Sequence, residues 1–540
     1  MRENISFSIV TPLYNTQEQA LREMLHSVCS QLYSNWELII VDASDEKHSN
    51  VKEICDLYVS KNPKKNPKII YKKLDKNLGI SGNTNEALKM VTGDFICLLD
   101  HDDYLKNNAL LEMAKAIKKT KAEFLYSDEA LLFQNFSIKP HYKPDFGWDT
   151  FRSYNYLCHF SCFSRKLQQQ AGMFRSEFDG SQDYDMFLRL AEKTEKVVHV
   201  PKVLYYWRAS ETSMAQNTDS KPYCVIAAKK ALSEHLKRVG LKGKVLDSSM
   251  YTTYKIQYEL LEKPLISILI PTCDHVEVLK RCIDSIKQKS TYTNYEIVLV
   301  ENNSKNKDTF DYYESLKNDS KIIITYYKGE FNYAKICNFG VEATSGKYVL
   351  FLNNDIEIIT PDWIEQMLMF AQRDDVGAVG CMLYYPNDTI QHAGVIVGLG
   401  GVAAHSGWKE EKNANGYLSK NTLAQNLSAV TAAVMLVKRK DFDLVNGFDE
   451  EFPSDFNDTD FCMRIREKGL NIIWTPYAKA YHHESMSRND FDKELTIELN
   501  KQAVLLFRKK WMKFLKKGDP YYSPGLDLYF PNNLNLNRIF

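Results

Sequence analysis

Apolar residues in this chain follow two rhythms that alternate along it. Short unbroken apolar runs at 5–11, 38–42, 68–74 and 95–99 predict strands buried on both faces. Windows of 3.6-residue periodicity at 17–32, 51–60 and 83–91 predict helices between them. Strands alternating with helices in this way imply a parallel sheet covered on both sides, an α/β architecture. Beyond residue 103 the pattern loosens. It predicts a helix at 107–118, a strand at 123–133, an aromatic irregular stretch at 139–156, a helix at 182–193 and a closing strand at 197–207.

The alternation then begins again. Ser8-Ile-Val-Thr-Pro-Leu-Tyr-Asn matches Ser267-Ile-Leu-Ile-Pro-Thr-Cys-Asp, and Trp36-Glu-Leu-Ile-Ile-Val-Asp matches Tyr295-Glu-Ile-Val-Leu-Val-Glu. The offset is 259 from Pro12 to Pro271 and again from Asp42 to Glu301. A constant offset across several elements marks the duplication of a whole domain-length unit. The expected organisation is a first domain over 1–215, a partly helical connector at 216–263, a second domain over 264–492 and a tail at 493–540. One basic helix near 223–239 lies in the connector, and the tail is helical to about residue 517 before a fixed coil at Asp519-Pro-Tyr-Tyr-Ser-Pro.

Each unit contains an apolar strand that stops in polar side chains. Unit one has Asp94-Phe-Ile-Cys-Leu-Leu-Asp-His-Asp-Asp, and unit two has Lys347-Tyr-Val-Leu-Phe-Leu-Asn-Asn-Asp. In open parallel sheets, ligands bind outside the carboxyl ends of the strands. Asp100 and Asp102, one residue apart, leave the same side of an extended segment. Hard oxygen ligands so placed suit Mg²⁺ or Mn²⁺ carrying a diphosphate, although a polar turn capping the next helix accounts for them equally simply. A second matched pair of segments shares the spacing Asp-x-Asp-x-x-x-Arg, with Asp183 and Asp185 in unit one and Asp458 and Asp460 in unit two. At a helix start one such carboxylate is an ordinary cap, whereas beside a metal–diphosphate site it has the chemistry of a general base. Asp42 ends its strand and suits either a nucleobase or ribose hydrogen bond or an N-cap. Asn77-Leu-Gly-Ile-Ser-Gly places two glycines before a helix, a turn suited to a sugar or phosphate.

Composition narrows these options. The 540 residues, 44% hydrophobic, suffice for two large cores. Lys+Arg and Asp+Glu are equal at 69, which removes the global-charge argument for nucleic acid. Eleven cysteines contain no C-x-x-C pair, which argues against zinc and thioredoxin-like sites and for reduced thiols in a cytosol. The polar N-terminus carries no expected leader, and no apolar run reaches the ~18 residues of a membrane span. The run Arg508-Lys-Lys-Trp-Met-Lys-Phe-Leu-Lys-Lys suits an anionic membrane surface or a solvated helix face.

Taken in order, Pro12-Leu-Tyr-Asn, Val41-Asp42, Asn77-x-Gly79, Leu99-Asp-His-Asp-Asp and Gln182-Asp-Tyr-Asp are where the chain resembles the family 2 glycosyltransferases, and it does so twice. The resemblance covers nearly the whole chain. It implies two tandem GT-A domains, Rossmann-like with mostly parallel central sheets. It implies donor contacts at Pro12, Tyr14, Asp42, Asn77, Gly79 and Asp100 in unit one, and at Pro271, Glu301 and Asn353 in unit two. Asp102 and Asp355 are implied as ligands of Mn²⁺ or Mg²⁺, and Asp183 and Asp458 as the catalytic bases. Asn353 replaces an expected carboxylate; His482 or His483 is implied as compensation, with His483 selected, whereas unit one has Tyr206 where a histidine is expected. Gln391 with the glycine-rich 398–404 suits an acceptor pocket or a core turn, and the Trp207-Arg208 pair suits closure over a pyrophosphate or plain packing.

The activity so implied is a bifunctional inverting transfer from nucleotide-diphosphate sugars. The acceptor would be a lipid-linked or oligosaccharide chain of a surface polysaccharide of O-antigen, capsule or rhamnan type. The implied location is cytoplasmic, peripheral on the inner face of the cell membrane, with no nucleic acid partner. Two alternatives stay open: one unit serving only as an acceptor-binding or scaffold module, and a nucleotidyltransferase of the same architecture. The latter would want a glycine-rich basic loop after the first strand, which Pro12-Leu-Tyr-Asn-Thr is not.

Overall fold

The computed structural model describes residues 5–61, 68–133, 137–208, 222–484 and 493–529. Residues 216–221 of the expected connector and 530–540 of the tail lie outside them. The chain divides into two compact units. One is drawn from Met1–Phe146, Tyr154–Ile256 and Ser523–Gly525, the other from Gly147–Ser153, Gln257–Tyr522 and Leu526–Phe540.

Unit one opens with β1 (Phe7–Leu13), α1 (Glu18–Cys29), β2 (Trp36–Asp42), α2 (Asn50–Lys61), β3 (Lys68–Lys73), α3 (Gly79–Leu88) and β4 (Phe95–Leu98). β1 lies parallel to β2 and β4, and β2 parallel to β3. β1 and β2 are buried along their whole length, which is why they read as continuous apolar runs. Leu21, Met24 and Leu25 of α1 and Val51 and Ile54 of α2 pack with Phe7, Ile9, Leu38 and Ile40 in one core cluster. α3 packs on β1 and β2. It starts four residues earlier than the periodicity suggests, because the Asn77 carboxamide accepts from the Gly79 N–H at 3.0 Å and launches the helix there.

The rest of the unit comprises β5 (Tyr104–Leu105), α4 (Ala109–Thr120), β6 (Phe124–Leu132), β7 (Ile138–His141), α5 (Trp148–Ser153), β8 (Ser161–Ser164), α6 (Arg165–Ala171), α7 (Gln182–Ala191) and β9 (Val197–Arg208). β8 runs antiparallel between β4 and β6, while β9 lies parallel to β6 and pairs antiparallel with β5. The sheet is therefore mixed, with order β3-β2-β1-β4-β8-β6-β9-β5. The stretch 139–156, expected to be irregular, includes part of β7 and all of α5. α5 belongs with the other unit, where Asn426 accepts from the Asp149 N–H at 2.9 Å. β8 escapes a periodicity reading because four residues are too short to display one.

α8 (Pro222–Arg238), β10 (Gly243–Asp247) and β11 (Tyr254–Tyr258) follow. The described part of the expected connector up to Ile256 belongs to unit one. α8 buries Ala227, Ala228, Ala231 and Leu232, packs on α7, and its His235 meets Glu192 at 2.7 Å.

Unit two repeats the plan with β12 (Ile266–Thr272), α9 (Val276–Lys289), β13 (Tyr295–Glu301), α10 (Lys307–Leu316), β14 (Ile322–Tyr326), α11 (Tyr333–Val341), β15 (Tyr348–Leu352), β16 (Ile356–Ile358), α12 (Trp363–Ala371) and β17 (Val376–Tyr384). Next come β18 (Ile390–His392), β19 (Val395–Val397), β20 (Ala403–His405), β21 (Gln425–Leu427), β22 (Val434–Lys438) and α13 (Arg439–Leu444). α14 (Asn457–Glu467), β23 (Asn471–His482) and α15 (Lys493–Lys517) complete it. Its sheet order, β14-β13-β12-β15-β22-β17-β23-β16, matches unit one strand for strand. α15 packs Ala503, Phe507 and Trp511 against Val397, Phe452 and Met463, and turns Arg508, Lys509, Lys513, Lys516 and Lys517 outward. Among the described residues no helix is long and apolar enough to cross a membrane.

The last long strand of each unit is bulged. Along β6–β9 the register runs Ser127↔Val200 and then Asp128↔Val203, passing over Pro201. Along β17–β23 it runs Cys381↔Thr475 and then Met382↔Lys479, passing over Pro476. Proline cannot donate to a ladder, so it sits at the bulge, and the extra residues reset which later side chains face the cleft.

Candidate active site

In unit one, β4 delivers the Asp100–Asp103 segment to the C-terminal edge of the sheet. The acidic residues there have different roles. Asp103 is 1% exposed and accepts from the Tyr205 hydroxyl at 2.6 Å and the Arg208 N–H at 2.7 Å, so it fastens β5 to β9. Burial and the charges of Asp100 and Asp102 push the Asp103 carboxyl well above the usual range. Asp102 is half-buried, and among the described residues no hydrogen bond or ion pair engages its carboxylate. Asp100 lies 3.5 Å from the His159 Nε2. Desolvation opposes its charge, but the hydrogen bond and charge of His159 outweigh it and hold the carboxyl below the ordinary value.

Asp183 stands in the first turn of α7. Burial, reinforced by the charge of Asp100, pushes its carboxyl up to about 7. Its neighbours include His159 and Cys158, whose ligand atoms and its own all lie within 4.8 Å of one another. His159 sits in the lead-in to β8, stacked on Tyr205 at 4.8 Å between centroids. Glu129 on β6 stands behind it, 3.4 Å from its Nδ1 and itself paired with His141 and Lys143. Burial disfavours the imidazolium, yet Asp100 and Glu129 raise the His159 pKa well above its usual range. Sequence reasoning missed His159, Glu129, His141 and Lys143. They lie on three separated segments with no spacing rule between them, so the fold alone brings them together.

Asp185, the second acid of the α7 pair, is fully buried between Arg175 and Arg189. Its counterpart Asp460 is bound to Arg464 at 2.7 Å and to Lys510 at 2.7 Å. In both units the second aspartate therefore anchors the helix, and the first is left to the cleft.

In unit two a cavity of about 400 Å³ collects two of the expected residues, Asn353 and Asp458. Asn353, Asp458 and His482 line it together with Gln391, His405 and Trp408. Asp458 opens α14 and accepts from the Ala432 N–H at 3.0 Å and the Thr459 N–H at 2.6 Å. Asp355, 7% exposed, lies behind the lining with Oδ1 3.1 Å from His482 Nε2. That contact is not aligned as a hydrogen bond, and Oδ1 is a buried oxygen with no hydrogen-bond partner. His482 Nδ1 meets Gln391 Oε1 at 2.7 Å, so Nδ1 donates to the carboxamide oxygen and Nε2 is turned towards Asn353 and Asp355. An imidazole nitrogen and a carboxylate oxygen 3.1 Å apart are a donor set that fits a divalent cation. The histidine selected from sequence is displaced: His483 turns away, 3.1 Å from Glu357 and 3.3 Å from Arg281, and His482 occupies the position beside Asp355. The β23 bulge and strand alternation decide which of the two points inward.

The expected donor-side residues cluster at the ends of the first two strands of each sheet. Pro12 lies opposite Val41 and Pro271 opposite Val300 in matching registers. Asp42, 1% exposed, accepts from the Ser44 N–H at 2.8 Å, the Tyr71 hydroxyl at 2.6 Å and Lys73 at 3.2 Å. Burial works against the charge of Asp42, but these bonds hold its pKa below the usual value. Glu301 makes the corresponding bonds to the Ser304 hydroxyl at 2.6 Å and the Tyr313 hydroxyl at 2.8 Å. Tyr14 is 47% exposed at the rim. Gly79 has φ 78°, and a Cβ there would come within 2.9 Å of Asp179, which requires glycine. Tyr206 stacks on Tyr104 at 4.8 Å, and Arg208 bonds the Asp102 carbonyl at 2.8 Å.

The family model described as "Glycosyl transferase family 2" matches residues 8–163 and again 267–443. The chain is 37% identical over 528 residues to "Uncharacterized protein y4gI" of Sinorhizobium fredii, covering 96% of this chain and 57% of that one. It is 34% identical to "O-antigen biosynthesis protein RfbC" of Myxococcus xanthus, covering 96% of this chain and 40% of that one. It thus spans about half the length of these relatives. Among solved structures, the mannosyltransferase PcManGT of Pyrobaculum calidifontis, in complex with GDP-Man and Mn²⁺, aligns over 49% of this chain and 68% of its own at 14% identity and a TM-score of 0.36. With its two mixed, mostly parallel sheets, each matched by the family model, the chain belongs to glycosyl transferase family 2.

Proposed function

We propose that both units are catalytic, each transferring a sugar with inversion from a nucleotide-diphosphate donor to a growing surface polysaccharide. The observation that carries this reading is the unit-two cavity, where Asp458, Asn353 and His482 converge from α14, β15 and β23. In unit one the same role falls to Asp183, facing Asp100 across the cleft.

The chemistry follows from those positions. Asp183 or Asp458 accepts the proton of an acceptor hydroxyl as its oxygen attacks the anomeric carbon. The nucleoside diphosphate departs from the opposite face, which inverts that carbon. A pKa of about 7 suits Asp183 to this task, because a base near the working pH is both available and strong enough. Asp100 and Asp102 in unit one, and Asp355 with His482 in unit two, would hold Mg²⁺ or Mn²⁺. When bound, that cation offsets the charge on the departing diphosphate. Asp42 and Glu301 orient the nucleoside, with Asn77 and Gly79 shaping its turn. Trp408, 55% exposed at the cavity and bonded to the Tyr385 hydroxyl at 3.0 Å, provides a flat face for an acceptor sugar ring.

The name of the Myxococcus relative, an O-antigen biosynthesis protein, supports an acceptor of O-antigen type. The cationic side of α15 is compatible with an anionic membrane surface. Incubating the full chain with a panel of nucleotide sugars and Mn²⁺ tests the reading. Donor turnover should fall in Asp183→Asn and in Asp458→Asn, and vanish in the double variant. If neither substitution lowers it, the assignment of the bases is wrong; if only one does, the other unit is a binding module.

A further inference from the structure

The matched registers of the two sheets expose an exchange. In unit two, β16 pairs Glu357 with Tyr481, so the residue after Tyr481, His482, stands beside Asp355 two positions before Glu357. In unit one, β5 pairs Tyr104 with Tyr206, and Asp102 lies two positions before Tyr104. The place of His482 is therefore taken by Trp207, not by Tyr206 as the linear motif suggests. Tryptophan offers no lone pair to a cation.

The opposite substitution occurs two strands away, with β6 between. Phe95 pairs with Ser164 in unit one, and Tyr348 with Lys438 in unit two. Five residues before Ser164 is His159, and five before Lys438 is Ala433, a residue lining the unit-two cavity. Where one unit has His and Ala, the other has Trp and His. The two side chains meet: His159 packs against Trp207 at 5.6 Å between ring centroids. The imidazole has changed strands but still reaches the same carboxylate edge.

We propose that His159 is the imidazole ligand of a divalent cation in unit one, held together with Asp100, and that it replaces across the cleft the histidine which β9 lacks. This rests on the metal-dependent reading above. His159 Nε2 and Asp100 Oδ2 are 3.5 Å apart, within the ~3–4 Å that separates two ligands of one octahedral cation. Imidazole with carboxylates suits Mn²⁺. Glu129, 3.4 Å from Nδ1, and the stacked Tyr205 ring flank the imidazole on its other side.

The test uses the full chain carrying Asp355→Ala and His482→Ala, which silences unit two. Titration with Mn²⁺ alone, read by loss of the free-ion EPR signal, should give one site per chain. His159→Ala and His159→Gln should each weaken it at least about tenfold. Pulsed EPR should show imidazole-nitrogen modulation that disappears in both variants. Adding Trp207→His to His159→Ala should restore the modulation and most of the affinity, a gain that a folding defect does not produce. Unchanged affinity and modulation in the His159 variants would overturn this inference while the metal-dependent reading stands. Absence of any Mn²⁺ binding in the silenced chain overturns it together with the metal assignment of unit one.

Discussion

Asp185 and Arg189 are one turn apart on α7, their carboxylate and guanidinium 2.7 Å from each other, and Asp460 and Arg464 repeat the pairing at the same distance on α14. The pair uses the second acid of each Asp-x-Asp to fix the helix, and so presents the first to the cleft. The two acids of each pair should separate cleanly on mutation. Asp185→Ala leaves Arg175 and Arg189 without their shared buried partner, at a cost of about 3–5 kcal/mol. Its melting temperature should drop markedly. Asp183→Asn should fold normally and lose about 10²- to 10⁴-fold in unit-one turnover.

The raised Asp183 carboxyl has a consequence for stability. In the unfolded chain this group ionises near its ordinary value of 3.8, and in the folded chain at about 7. Between those values the folded state binds the extra proton, so its contribution to stability is lost as pH rises and the penalty is complete above about 7. In metal-free chain, Asp183→Asn should therefore raise the melting temperature at pH 8 and change it little at pH 4. An equal shift at both pH values would contradict this assignment.

His482 and His483 should differ sharply despite being neighbours. His482→Ala removes the Nε2 facing Asp355 and should weaken Mn²⁺ binding by unit two at least about tenfold. His483→Ala loses only its contacts with Glu357 and Arg281 and should bind within about twofold of the unaltered chain. Calorimetric titration with Mn²⁺ distinguishes the two.

Trp408 carries no group that takes part in the proton transfer, so its loss should affect binding of the acceptor rather than the chemistry. Trp408→Ala should raise the acceptor KM about fivefold, equivalent to roughly 1 kcal/mol of ring stacking, with kcat nearly unchanged. A fall in kcat at constant KM would place Trp408 in a different role.

What the sequence determined by itself was local or repeated. β1, β2, β12 and β13 were legible because a strand buried on both faces is apolar at most of its positions. The duplication was legible because a fixed offset survives in the linear order, and the two Asp-x-Asp-x-x-x-Arg helices because an i,i+4 pair has a spacing. Only tertiary structure decided the rest. Asp103 became a fastener because Tyr205 and Arg208 reach it from β9, about a hundred residues away. The segment after Pro222 joined unit one because α8 found an apolar seat on α7. The bulge past Pro476 chose His482 over His483, and the meeting of β4, β8 and β9 brought His159 to Asp100. A one-residue shift in register reverses which side chains face the cleft, and no property of the residues themselves records that shift.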